Sequence, residues 1–170
     1  MGALIAMWCK YFGAKYIGVV EQNKHRAFNI MDYNETTCIF DANDPNIVET
    51  LINATGGFNV HFECSGNPKY ISIGVLALRR GSTIATLSLY PKSMALNFYM
   101  MSTKLIRLRP FNAHTISDYD EVVKLVSENK KLNLKRYLST SIKLDEIQEM
   151  LTTLSTEDHQ HQKVVINKFE

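Results

Sequence analysis

Met1-Gly2-Ala3-Leu4-Ile5-Ala6-Met7-Trp8-Cys9-Lys10-Tyr11-Phe12-Gly13-Ala14 is followed by Lys15-Tyr16-Ile17-Gly18-Val19-Val20-Glu21, and the two stretches read differently. In the first, an apolar run opens on Gly2, continues through Tyr11 and Phe12, and stops at the Gly13-Ala14 break. In the second, Tyr16 to Val20 is a short continuous apolar segment, the mark of a buried strand, and it ends on the acid Glu21. The order is helix, turn, buried strand, carboxylate, with nineteen positions from Gly2 to Glu21.

That spacing belongs to a Rossmann unit. There the last glycine of G-x-G-x-x-G lets a helix pack closely on the sheet, and an acid at the tip of the next strand accepts hydrogen bonds from the adenosine ribose. Gly2 stands where that last glycine would be, so the expectation is a dinucleotide-binding unit lacking its first strand and the two glycines that approach the pyrophosphate.

After Glu21 helical and extended patterns alternate, which predicts an α/β fold with a parallel sheet. Helices are predicted at Lys24 to Met31, from an Asp44 cap with Pro45 at the first position to Ala54, and from an Asn67 cap with Pro68 to Arg79. Strands are predicted at Thr37 to Phe40, Val60 to Glu63, Thr83 to Leu89 and Leu105 to Leu108. Gly56-Gly57 and Gly81 end the second and third of these helices. Ser117 and Asp120 form an expected capping box for a helix through Glu128, with Lys130 and Lys131 suited to its negative end. The tail reads as a strand (Leu138 to Ile142), a helix (Asp145 to Leu154) and a last strand (Lys163 to Asn167), with Thr156 to Gln162 as a polar loop.

Composition agrees with a globular domain. The 170 residues are 45% hydrophobic and 21% charged, enough for a sizeable core. A net charge of +2 gives no sign of the basic face that nucleic-acid binding needs. No apolar run reaches the roughly 18 residues that span a bilayer, and Ala3 to Cys9 is too short for a signal peptide, so a cytoplasmic protein with no membrane or nucleic-acid partner is expected. Cys9, Cys38 and Cys64 are widely spaced and form no C-x-x-C pair; buried thiols are expected rather than disulfides or a zinc ribbon.

Together these pieces resemble the cofactor-binding half of a medium-chain, zinc-dependent alcohol or polyol dehydrogenase of the sorbitol and threonine dehydrogenase kind. The resemblance rests on Met1-Gly2 with Cys9 to Ala14, on Val20-Glu21 with Arg26, and on Thr55-Gly56-Gly57. It continues through Phe62-Glu63-Cys64-Ser65-Gly66, Leu78 to Ile84, and Lys163-Val164-Val165-Ile166. It implies NAD as cofactor and a Rossmann-like doubly wound parallel sheet over 1–137, with 138–170 as a tail returning to a catalytic domain. It also implies a role for individual residues. Gly2 would open the helix whose N-terminus faces the pyrophosphate. Glu21 would hold the adenosine ribose, with Arg26 beside it, and Cys64 and Ser65 would line the groove. Leu87, Ser88 and Leu89 would pass the nicotinamide, and Lys163 would reach the pyrophosphate.

Three departures accompany the matches: Glu21 replaces the family's usual Asp, Ser88 replaces a glycine, and Pro110 falls where a Gly-Ser pair is common. The family's zinc ligands lie in an N-terminal domain that has no counterpart here, so no catalytic and no metal-binding residue is expected in this chain. His159 and His161 supply at most two ligands beside Glu157 and Asp158 and read as a solvated loop. His61 reads as a hydrogen-bonded core or edge histidine, Cys64 as a packing residue, and Arg107 and Arg109 as charges guarding an edge strand.

The expected function is hydride transfer between NAD and a small alcohol, with this chain supplying the cofactor half and inactive alone. The alternatives are a non-catalytic Rossmann remnant or interaction module, and a methyltransferase, against which the tail argues. The resemblance also implies pairing between copies near Leu105 to Leu108, and so a homodimer or larger assembly.

Overall fold

The computed structural model describes residues 1–31, 37–129, 132, 134–156 and 159–168, so Lys130, Lys131, Glu157 and Asp158 lie outside the described residues. The elements are α1 (Gly2–Tyr11), β1 (Ile17–Glu21), α2 (Lys24–Met31), β2 (Thr37–Asp41), α3 (Ile47–Thr55), β3 (Phe58–Glu63) and α4 (Pro68–Ala77). They continue with β4 (Leu78–Thr86), α5 (Phe98–Thr103), β5 (Arg107–Pro110), α6 (Ile116–Glu128), β6 (Leu138–Lys143), α7 (Ile147–Leu154) and β7 (Lys163–Lys168). Two units are distinguished: Met1–Gln22 with Ile30–Asn112, and Asn23–Asn29 with Ala113–Glu170. The alternation of strand and helix expected from the sequence is present, and every paired strand is parallel.

In the first unit the sheet is parted. β1 pairs with β2, from Ile17 against Thr37 to Glu21 against Asp41, while β3, β4 and β5 form a second ladder in that order. Among the described residues β1 and β3 therefore each keep one edge without a strand partner. Helix α1 packs on both β1 and β3, and Phe58 at the start of β3 joins two apolar clusters. Its ring lies so close to Gly18 that a Cβ there would stand 2.9 Å from Phe58 Cζ, which leaves glycine as the residue that fits. The deepest core side chains are Ile71 and Val75 of α4 and Ile84 of β4. Burying each stabilises the fold by about 2 kcal/mol relative to exposure.

Several element ends differ from expectation, each for a local reason. Asp44 does not cap α3. Its Oδ1 accepts from the Asn46 N–H (2.8 Å) and its Oδ2 from the Thr50 hydroxyl (2.8 Å), which places Pro45 in a turn ahead of a helix that starts at Ile47. Asn67 does cap α4, accepting from the Lys69 N–H (3.0 Å), and Gly56 ends α3 in the left-handed conformation.

Helix α4 stops at Ala77 because Leu78 is already extended, so Arg79, Arg80 and Gly81 belong to β4. That strand ends at Thr86, three residues short of Leu89. Arg79 turns to the C-terminus of α3, where it donates to the carbonyls of Gly56 (3.2 Å) and Thr55. Lys104 does the same for α4, its Nζ donating to the carbonyls of Val75 (3.1 Å), Leu76 (2.5 Å) and Leu78 (3.0 Å). Leu105 takes φ 54°, and the strand expected at Leu105 to Leu108 begins two residues later.

In the second unit the capping box of α6 is Thr115 with Asp118 rather than Ser117 with Asp120. Thr115 Oγ1 accepts from the Asp118 N–H (3.2 Å) and Asp118 Oδ2 from the Thr115 N–H (2.7 Å), so Ser117 falls inside the first turn. β6 and β7 pair in parallel. Asn23 caps α2 through its Oδ1 and the Arg26 N–H (3.0 Å), and its Nδ2 donates to the His159 carbonyl (3.0 Å). Among the described residues no helix is long and apolar enough to cross a membrane.

Candidate functional site

The turn at Gly13-Ala14 sends the chain from the end of α1 into β1. Ten helical residues rise about 15 Å and five strand residues about 16 Å, so the N-terminus of α1 and the tip of β1 at Glu21 lie at the same end of the unit. Gly2 opens α1 with no atom within 4 Å of where its Cβ would stand, and the first turn of the helix carries no acid. A helix N-terminus with no acid in its first turn is suited to an anion.

The tips of the other strands gather at this end. Burial raises the pKa of the Tyr70 phenol, and the charges of Glu21, Glu63 and Asp41, the acids that close β1, β3 and β2, raise it further. The Cys64 thiol is pushed up to about 11 by burial, with the Met1 amino group pulling down and Glu63 pushing up. The thiol is thus protonated near neutral pH, as suits a packing residue.

The loops after β3 and β4 touch. Gly66 adopts φ +76°, and a Cβ there would stand 2.8 Å from the Leu89 carbonyl oxygen and 3.5 Å from Ser88 Cβ. The Leu87 N–H donates to the Glu63 carbonyl (2.9 Å), continuing the ladder one residue beyond β4. The carboxylate of Glu63, 2% exposed, accepts from the Ser65 N–H (2.8 Å), the Ser65 hydroxyl (2.5 Å), the Gly66 N–H (3.1 Å) and the Tyr90 hydroxyl. Burial pushes this carboxyl up, but those four hydrogen bonds outweigh it and hold its pKa below the ordinary glutamate value.

Gly2, Glu21, Cys64, Ser65, Leu87, Ser88 and Leu89 thus all belong to the first unit and to strand tips, adjoining loops or the α1 start. Arg26 and Lys163 belong to the second, Arg26 half-buried in the first turn of α2 and Lys163 exposed at the start of β7. Their segments meet there through Gln162 Nε2, which donates to the Arg26 carbonyl (3.4 Å). Glu63, Tyr70 and Tyr90 are not among the residues that the sequence alone assigns to the site. A signal for Glu63 is nonetheless present, as an acid directly before Cys64-Ser65-Gly66 with two N–H groups to cap.

Two histidine expectations need correction. His61 is half-buried with its ring against Gly74 and its pKa lowered, burial outweighing the charge of Glu63, but its Nε2 has no hydrogen-bond partner. His159 and His161 are half-buried with stacked rings 6.5 Å apart, and the Asn23 bond ties His159 to the start of α2. They are therefore not a freely solvated loop. Among the described residues no three of His, Cys, Asp and Glu stand together as a metal site, so zinc finds no ligand set there.

Strand tips, a helix N-terminus and two touching loops at one end of a parallel α/β unit define a doubly wound fold with its crevice at the carboxyl ends of the strands. The chain belongs to the zinc-binding dehydrogenase family, whose model matches residues 1–128. Solved structures agree in fold. The chain is similar to 2R,3R-butanediol dehydrogenase from Bacillus subtilis, with TM-score 0.84 and 20% identity, covering 98% of this chain and 48% of that one. It is similar to a putative zinc-binding dehydrogenase from Sinorhizobium meliloti bound to NADP, with TM-score 0.85, 18% identity and coverage of 98% and 49%. It is also similar to an alcohol dehydrogenase from Escherichia coli complexed with NADH, with TM-score 0.83, 10% identity and coverage of 99% and 49%. The chain spans about half the length of these solved chains.

Proposed function

We propose that this chain is the cofactor-binding half of a zinc-type alcohol or polyol dehydrogenase and that it holds NAD along the carboxyl ends of β1, β3 and β4. The observation that carries the reading is the convergence of the α1 N-terminus, Glu21 and the loops bearing Cys64 and Ser88 at one end of one unit. Gly2 and the first turn of α1 would take the pyrophosphate, Glu21 the adenosine ribose hydroxyls, Cys64 and Ser65 the groove wall, and Leu87 to Leu89 the nicotinamide. When bound, the nicotinamide supplies a hydride acceptor for a carbinol carbon. The zinc and its ligands would come from outside the described residues. A cytoplasmic homodimer is part of the same reading, supported by β5, whose four residues are exposed at the edge of its ladder.

The carboxylate of Glu21 repels a 2′-phosphate, which makes NAD the preferred dinucleotide. Calorimetric titration of the chain with NADH and NADPH tests this. The expected result is NADH tighter by about tenfold, the weight of one like-charge contact of about 1.4 kcal/mol. NADPH binding as tightly, or neither binding, overturns the reading.

A further inference from the structure

We infer that Glu63 is the positioning residue of this groove, a clip whose single carboxylate and carbonyl set the loops after β3 and β4 as one rigid rim for the nicotinamide ring of the dinucleotide. The inference rests on the proposed function for its ligand and on the geometry for its residue.

The segment Leu87-Ser88-Leu89 lies beyond β4 in no regular structure, and the Leu89 side chain is 84% exposed, so little packing holds it. Glu63 brackets it at both ends. Its carbonyl takes the Leu87 N–H at one end, and its carboxylate takes the Tyr90 hydroxyl at the other. The same carboxylate holds the opposite rim through the Ser65 and Gly66 N–H groups and the Ser65 hydroxyl, and Gly66 then meets the Leu89 carbonyl directly. An ionised carboxylate is the group that can do this, because all its oxygen sites accept and all its neighbours here donate. A glutamine in its place turns an NH2 group toward one of those donors. A loop anchor without consequence for the nicotinamide would instead make NADH and ADP-ribose lose affinity together or not at all.

Tyr90→Phe and Glu63→Gln separate the two. NADH and ADP-ribose are titrated calorimetrically into the full chain and each variant, with circular dichroism melting as a check on folding. Tyr90→Phe leaves the Ser65 and Gly66 bonds in place and frees only the β4 loop. The expected result is ADP-ribose affinity within about twofold of the parent and NADH affinity lowered by about tenfold, the loss of one hydrogen bond to a charged group. Glu63→Gln is expected to show the same split, more strongly. Equal losses for both ligands, or an unchanged NADH affinity in Tyr90→Phe, overturn the clip. A parent chain that binds neither ligand overturns the proposed function and the clip with it, whereas a parent that binds both while the variants show no split overturns the clip alone.

Discussion

Glu21 and Glu63 are the same residue type at the same place, the last position of a parallel strand in one unit, and their surroundings have opposite consequences. Glu21 is half-buried, its carbonyl takes the Ala42 N–H (3.2 Å), and the next residue is Gln22. Glu63 precedes Cys64-Ser65-Gly66, whose backbone turns back over the strand tip and surrounds the carboxylate with donors. The loop that leaves the strand decides whether donors of the fold close around its terminal acid.

Replacing each acid by alanine is the strongest way to break the contrast. Glu63→Ala leaves two N–H groups and two hydroxyls without their acceptor and should cost about 3 kcal/mol in urea unfolding. Glu21→Ala should cost less, about 0.5 kcal/mol, the usual scale for a position that is not closed in on all sides. Similar losses for the two variants would erase the distinction.

A smaller effect is expected at Gly66. Alanine there must hold φ +76° and press on the Leu89 carbonyl at 2.8 Å, so Gly66→Ala should lose about 1–2 kcal/mol in the same assay. An unchanged unfolding midpoint would mean that the two loops do not lean on each other.

The smallest and sharpest test is pH. The folded pKa of Glu63 lies below its unfolded value, so its contribution is fully present above the unfolded value of about 4.3 and is lost as the pH falls through the folded one. Stability measured from pH 6 downward should therefore drop below about pH 4.5, with a shallower slope in Glu63→Gln. Parallel slopes in parent and variant would count against the hydrogen-bonded carboxylate.

The contrast also marks what a sequence can show. The spacing from Gly2 to Glu21 singles out the more accessible acid because helix, turn and strand have fixed rises per residue, so a count of positions is a count of distance. The alternation of elements and the Asn67-Pro68 start are legible for the same reason: they are local. The role of Glu63 is legible only in its local half, the Ser65 and Gly66 N–H groups that follow it, because its partner Tyr90 stands twenty-seven positions away and nothing local announces that meeting. The start of β4 is hidden since Leu78-Arg79-Arg80 continues a helical pattern, and the extension comes from pairing with β3 together with Arg79 reaching the end of α3. Pro45 and Ser117 mislead differently. Pro45 sits in the turn that Asp44 closes with the Asn46 N–H, and Ser117 loses the N–H groups of α6 to the Thr115–Asp118 box.

The parting of the sheet between β1 and β3 has a kinetic side. Among the described residues the backbone amides on those two edges have no strand partner, so their exchange with solvent deuterium is governed by access rather than by global unfolding. The β1–β2 ladder is joined to the β3 ladder by α1 and by the Phe58 ring lying against Gly18. One phenyl ring is thus the rivet between the two ladders.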